Sequence, residues 1–298
     1  MKNIYEQVDE NKFRSGVVIA IFIAFIAAVS YLITYTMGFD SSFVGVALII
    51  SGILSFAGFY FSDSIILSIS GATPANKRDH FDFYTVTENL VSVARIPMPK
   101  LFVIEDTAMN AFATGRDPDH AVVCATTGIL GRLTRTELEG VVAHELSHVR
   151  NYDTRLMGIV TILVGMVTLL ADILLRTRIR GRGRDDEGNL GAILFVVGII
   201  MALLSPIIAQ LIQLAISRRR EFLADASGAA LTKYPEGLAS ALEKISADKE
   251  PLEAANKATA HLYIANPLKN HHDSIGWFSG LFNTHPPVKE RIKALRGG

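Results

Sequence analysis

The stretch His144-Glu145-Leu146-Ser147-His148 puts two imidazoles and a carboxylate within five residues. On an α-helix, side chains four apart lie about one turn above each other, so His144 and His148 can close on a single metal ion. Glu145 then stands beside the metal, where a general base is needed to take a proton from water. Neutral nitrogen ligands and an adjacent base are the needs of a hydrolytic zinc centre. The bland alternative is a pair of polar residues on a solvated helix. With only 8 histidines in 298 residues, a coincidental HExxH is uncommon.

A catalytic zinc takes three protein ligands and keeps one position open. The run Ser217-Arg218-Arg219-Arg220-Glu221-Phe222-Leu223-Ala224-Asp225 offers two acids at the same four-residue spacing. Glu221 suits the third ligand. Asp225 suits the acceptor for the far N–H of a liganding imidazole, which fixes its tautomer. A charged helix end at a membrane surface would explain the arginines, but not the spacing of the acids.

These groups need elements to hold them. Thr134 followed by Glu137 has capping-box spacing, and Leu138, Val141, Val142 and Leu146 then recur at helical intervals. No Pro or Gly stands between Gly140 and Gly158, so the helix is expected to run straight on into the apolar stretch that begins near Leu156. Gly140 suits close packing within the helix. Leu101 to Ile104 and Ala121 to Cys124 read as short strands. Cys124, the lone cysteine, excludes an internal disulfide and reads as a small strand residue.

Half of the residues are hydrophobic, 19 % are charged and the formal net charge is zero. That balance fits a membrane protein with a substantial aqueous part and gives no reason to expect a nucleic-acid partner. Gly16 to Gly38 has no charged residue and is long enough to span a bilayer, which takes about 20 helical residues. Phe43 to about Phe61 is a second such segment. Met157 to Leu175 and Leu190 to about Ile216 form a further apolar pair, which could also be buried helices. Lys2, Lys12 and Arg14 before the first segment, and Lys77, Arg78, Arg95 and Lys100 after the second, place both ends of that hairpin in the cytoplasm. Five arginines between Arg176 and Arg184 leave the crossing of the second pair open. Two crossings or none still return Glu221 to the side that carries His144. Asp63 and Asp172, near the ends of apolar segments, are given no catalytic role.

HELSH, SRRREFLADASGA and THPPVKERI, in this order after two apolar helices, resemble the HtpX family of membrane-bound zinc metalloproteases, relatives of the eukaryotic prenyl-protein proteases. The resemblance implies a multi-pass α-helical membrane protein with a cytoplasmic α+β, zincin-type (gluzincin-like) metalloprotease domain. Its parts would be an N-terminal transmembrane hairpin over 1–70 (helices about 16–38 and 43–62), a first protease segment over 71–156, a second hydrophobic hairpin over 157–216, and a second protease segment over 217–298. It implies one Zn2+ per subunit on His144, His148 and Glu221, Glu145 as general base, and His285 as the group that steadies the oxyanion. Asn110 and Ala111 resemble the Asn-Ala segment with which related zincins pair substrate backbone along an exposed strand edge. A turn asparagine is the plain alternative. Arg291 could pair with an active-site carboxylate or a surface acid and stays outside the catalytic set; His271 and His272 lie in a polar loop before Trp277 and Phe278.

The implied activity is endopeptidase action on membrane or misfolded proteins, in a stress response at the bacterial cytoplasmic membrane, with the lipid bilayer as the other partner. The alternatives are a peptidase restricted to lipidated or prenylated C-termini, and a non-enzymatic zinc-stabilised scaffold.

Overall fold

The computed structural model describes residues 4–37, 42–163, 218–255, 259, 262–265 and 286–297. His285, the loop at 271–282, Asp172 and the second apolar pair from residue 164 lie outside them. The helices are α1 (Ile4–Met37), α2 (Ser42–Tyr60), α3 (Ser62–Ile69), α4 (Phe81–Ala94), α5 (Thr127–Arg132), α6 (Arg135–Arg150), α7 (Arg218–Thr232), α8 (Pro235–Ala247) and α9 (Val288–Leu295).

Four short strands, β1 (Thr73–Pro74), β2 (Lys100–Ile104), β3 (Ala111–Thr114) and β4 (Val122–Thr126), form one sheet in the order β1-β2-β4-β3. β2 and β4 run parallel, whereas β1 and β3 are antiparallel to their neighbours. Side chains alternate across the pleat, so β2, β3 and β4 each feed two layers. Val103, Ala113 and Val123 face the main core with Phe83, Leu90, Leu146 and Leu242. Phe112 and Cys124 face a second core with Ile66, Met157 and Tyr263. Phe112 meets Tyr263 edge-on at 5.1 Å. Burial pushes the Cys124 thiol far above its usual range, as befits a packing residue.

The central element is α6, which packs on α4, α7, α8 and β3. Its capping box forms: Glu137 Oε2 accepts from Thr134 N at 2.7 Å, and the Thr134 hydroxyl accepts from Glu137 N at 3.4 Å. Leu138, Val141, Val142 and Leu146 are all buried, as their spacing predicts. Gly140 lets α8 approach: a Cβ there would stand 2.6 Å from Leu238 N. Gly228 on α7 does the same for α6, since its Cβ would lie 3.0 Å from His144 N.

The helix does not run on as the sequence suggests. It stops at Arg150, Asn151 caps it, and Tyr152 takes a left-handed φ of 60° before residues 153–163 resume helix. A non-glycine residue there costs roughly 1–2 kcal/mol, so the surroundings must hold it. Lys12 lies 4.6 Å over the Tyr152 ring, and Asn11 donates to the Asn151 carbonyl at 2.8 Å. The break bends the chain so that Asp153 returns to the face of α6 that carries His148.

α1 is 34 residues long and α2 is 19. Among the described residues, however, no helix counts as long and apolar enough to cross a membrane.

Candidate active site

His144, Glu145 and His148 project from the buried middle of α6, and Glu221 and Asp225 from one face of α7; each is at most 5 % exposed. The potential ligand atoms of His144, His148 and Glu221 all lie within 4.8 Å of one another. The two Nε2 atoms are 3.2 Å apart. Glu221 sets Oε2 3.8 Å from His144 Nε2 and Oε1 3.5 Å from His148 Nε2.

The far side of each ring shows what belongs between them. His144 Nδ1 is 2.9 Å from Asp225 Oδ1, and His148 Nδ1 is 3.0 Å from Asp153 Oδ2. Each carboxylate takes an Nδ1–H, which turns both Nε2 atoms toward one point, where His148 keeps a proton until a metal displaces it. Two ring nitrogens and a carboxylate that converge in this way share a cation, either a metal ion or, in its absence, the proton on His148. Tetrahedral zinc with bonds of about 2 Å sets its ligands about 3.3 Å apart; the two Nε2 atoms stand at that spacing, and Glu221 needs only a small shift to bring one oxygen to it. The donor set therefore fits zinc.

Arg291 is fully buried on α9 and grips Asp225 through two bonds, Nε to Oδ2 at 2.8 Å and Nη2 to Oδ1 at 2.6 Å. Its Nη1 donates to the Ile264 carbonyl at 3.2 Å and lies 3.6 Å from Glu221 Oε2. Of the two partners the sequence left open for it, the structure selects the active-site carboxylates.

The charges follow from these contacts. Burial pushes the Glu145 carboxyl up, and neighbouring Glu221 adds to this against His148, Arg291 and a backbone hydrogen bond at Ala113, so it titrates at about 7. Burial and Arg291 press His144 down against the pull of Asp225. For His148, burial also presses down, but Asp153 and Glu221 outweigh it and raise the ring to about 9. Burial raises the Asp225 carboxyl, yet its bonds from Arg291 and His144 hold it below the usual range.

β3 is the edge strand, as the Asn-Ala segment suggests, but its edge is not open at Ala111. The Ala111 carbonyl accepts from Ile264 N at 2.9 Å. Asn110 is 2 % exposed and brackets Ala265, donating from Nδ2 to its carbonyl at 3.1 Å and accepting from its N–H at 3.4 Å. The segment 262–265 thus lies where an extended peptide would pair. Strand alternation puts Ala113 on the same edge as Ala111, one step nearer Glu145.

Two groups escaped the sequence reading. Asp153 gives no local sign, because the turn at 151–152 alone brings it back to His148. Asn11, on α1, donates to Asp153 Oδ1 at 2.8 Å across 142 positions of sequence. Long-range pairings of this kind leave no periodic signal.

Comparisons with known proteins agree with this geometry. Residues 79–298 match the family described as peptidase family M48. The chain is 42 % identical over 292 residues to a protease HtpX homolog of Dictyoglomus thermophilum, covering 98 % of this chain and 94 % of that one. It is 40 % identical over 299 residues to a protease HtpX homolog of Thermoanaerobacter pseudethanolicus, covering 99 % and 98 %. A protease HtpX homolog of Tropheryma whipplei (strain Twist) is 42 % identical over 293 residues, covering 98 % of each. The crystal structure of S. mikatae Ste24p shares the fold, with a TM-score of 0.52 at 17 % identity; the likeness spans 94 % of this chain and 62 % of that one. With a metal-ligand triangle, a buried carboxyl beside it and these relatives, the chain belongs to peptidase family M48, in its HtpX-type branch, and is a metalloprotease.

Proposed function

We propose that the chain is a membrane-embedded, zinc-dependent endopeptidase that cuts membrane or misfolded proteins at the cytoplasmic face of a bacterial cytoplasmic membrane. The observation that carries the chemistry is the convergence of the His144 and His148 Nε2 atoms with Glu221 beside the buried carboxyl of Glu145.

His144, His148 and Glu221 would hold the Zn2+, and Asp225 and Asp153 would keep both imidazoles in the Nδ1–H tautomer. When bound, the ion supplies Lewis acidity toward water and the scissile carbonyl. Glu145 takes the proton from the attacking water on a carboxylate oxygen and passes it to the departing amine. A base with a pKa near the working pH serves both transfers. Substrate pairing at Asn110 and Ala111 would require displacement of residues 264 and 265, which take their hydrogen bonds here. His285, outside the described residues, would donate to the developing oxyanion.

Membrane placement rests on α1 and α2. Gly16 to Met37 holds no charged residue, nor does α2. On α2, Val46, Ile49, Ile53 and Phe56 recur on one helix face and are 53 %, 65 %, 62 % and 68 % exposed. An apolar stripe of this size is stable against hydrocarbon and costly in water. The positive charges flanking the hairpin favour a cytoplasmic active site. The proposed division stays 1–70, 71–156, 157–216 and 217–298.

Replacing Glu145 by Gln in the detergent-purified protein tests the reading. Metal is expected to stay bound while cleavage of an unfolded membrane-protein substrate falls by at least about 100-fold. Unchanged cleavage would contradict it.

A further inference from the structure

The support behind His148 reaches well outside the segments that carry the protease motifs. Asp153 is 2 % exposed and gives Oδ2 to His148 Nδ1. Its other oxygen, Oδ1, accepts from Asn11 Nδ2 at 2.8 Å and lies 3.5 Å from Arg220 Nη1. Asn11 is 4 % exposed, and its amide is fully used. The two Nδ2 hydrogens serve Asp153 and the Asn151 carbonyl, both at 2.8 Å, while Oδ1 accepts from Arg220 Nη1 at 3.2 Å. Arg220 directly precedes Glu221 in α7. One buried side chain on α1 therefore ties together the turn after α6 and the start of α7.

A carboxylate held at one oxygen alone can swing about its Cβ–Cγ bond, and the imidazole follows it. Pinning the second oxygen fixes the plane of the carboxylate and with it the direction of the Nδ1–H bond. Groups that orient a metal's histidines in this way commonly set metal affinity. The turn needs the same amide, because the left-handed Tyr152 follows the carbonyl that Asn11 binds.

We propose that Asn11 is a positioning residue of the metal centre: it orients Asp153, and through Asp153 His148, so that the first helix is a structural part of the active site. The inference rests on the reading of His148 as a zinc ligand.

The test compares the full-length wild type with Asn11→Leu, which keeps the volume and removes the amide, and with Ser15→Ala. Ser15 is a buried neighbour on α1 whose hydroxyl donates to the Asn11 carbonyl at 2.8 Å. Zn2+ affinity is read by competition with a chromophoric chelator, ligand geometry by the visible bands of the Co2+-loaded protein, and folding by thermal unfolding of the chelated protein. Asn11→Leu is expected to weaken Zn2+ binding about tenfold and shift the Co2+ bands, while Ser15→Ala moves neither. Should Asn11→Leu fail to fold, Asn11→Asp, equal in shape but without the Nδ2 donor, carries the same expectation. A folded Asn11 variant with affinity and spectrum within about twofold of wild type would overturn the proposal, as would an equal loss in Ser15→Ala. A wild type that binds no Zn2+ would instead sink the reading of the site itself.

Discussion

His144 donates its Nδ1–H to Asp225, whose charge a buried guanidinium, Arg291, meets through two hydrogen bonds. His148 donates to Asp153, whose second oxygen rests on a neutral amide, with Arg220 farther off at 3.5 Å. The first arm is electrostatically closed, and all of its parts lie within the stretch that matches family M48. The second shares its carboxylate between Asn11 and the Arg220 guanidinium and passes outside that stretch to α1. The two rings respond in opposite directions: His144 is pressed below its ordinary range and His148 is held at about 9. A symmetric motif is thus supported by an asymmetric fold. One arm secures the junction between α6, α7 and α9, while the other joins the centre to the N-terminal hairpin.

The largest effect should come from opening the closed arm. Arg291→Leu leaves Asp225 buried beside Glu221 with its countercharge gone, a change that typically costs about 3–5 kcal/mol. Thermal and denaturant unfolding of the detergent-solubilised protein would measure it. A loss below about 1 kcal/mol would mean that Arg291 is not the element closing this arm.

The other arm should fail in binding before it fails in folding. Asp153→Asn keeps the shape but removes the charge that accepts the His148 Nδ1–H, and it should weaken metal affinity by about 10–100-fold. Equilibrium competition with a chelator measures this, and the unfolding of the metal-free protein should change much less. The reverse pattern, stability lost with affinity kept, would erase the distinction between the arms.

A third prediction separates both arms from the scaffold. Burial pushes the Glu137 carboxyl up, but hydrogen bonds from Lys244, Ser240 and Thr134 outweigh it and hold it down at about 2. A depressed carboxyl stabilises the fold above its ordinary pKa near 4.5, and that contribution fades as pH falls toward about 2. Glu137→Gln should cost on the order of 2 kcal/mol at neutral pH and nearly nothing near pH 2. Because Glu137 ties α6 to α8 and not to the metal, the loss should be equal with and without chelator.

What could be read from the chain in advance was local. Positions four apart on one helix bring out His144 with His148 and Glu221 with Asp225, and the Thr134–Glu137 pair marks the start of α6. The strands around Val103 and Val123 follow from β-branched runs. What could not be read depends on distant meetings. Asn151 is a weak stop signal, with no Gly or Pro beside it; Asn11 and Lys12 support the break from α1, far away in sequence. Arg291 had two plausible partners until folding placed Ile264 and Asp225 on either side of it. Asn110 carries the right chemistry for a peptide backbone, and only the fold shows that Ala265 lies in its grip.

The central claim, that the two arms aim His144 and His148 at one ion shared with Glu221, is tested most directly by metal content. Wild type, Glu145→Gln and Glu221→Gln would be loaded with Zn2+, dialysed against a weak chelator and assayed by atomic emission. About one equivalent is predicted to remain in the wild type and in Glu145→Gln, with most of it lost from Glu221→Gln. Zinc retained equally by Glu221→Gln, or absent from the wild type, would contradict the account.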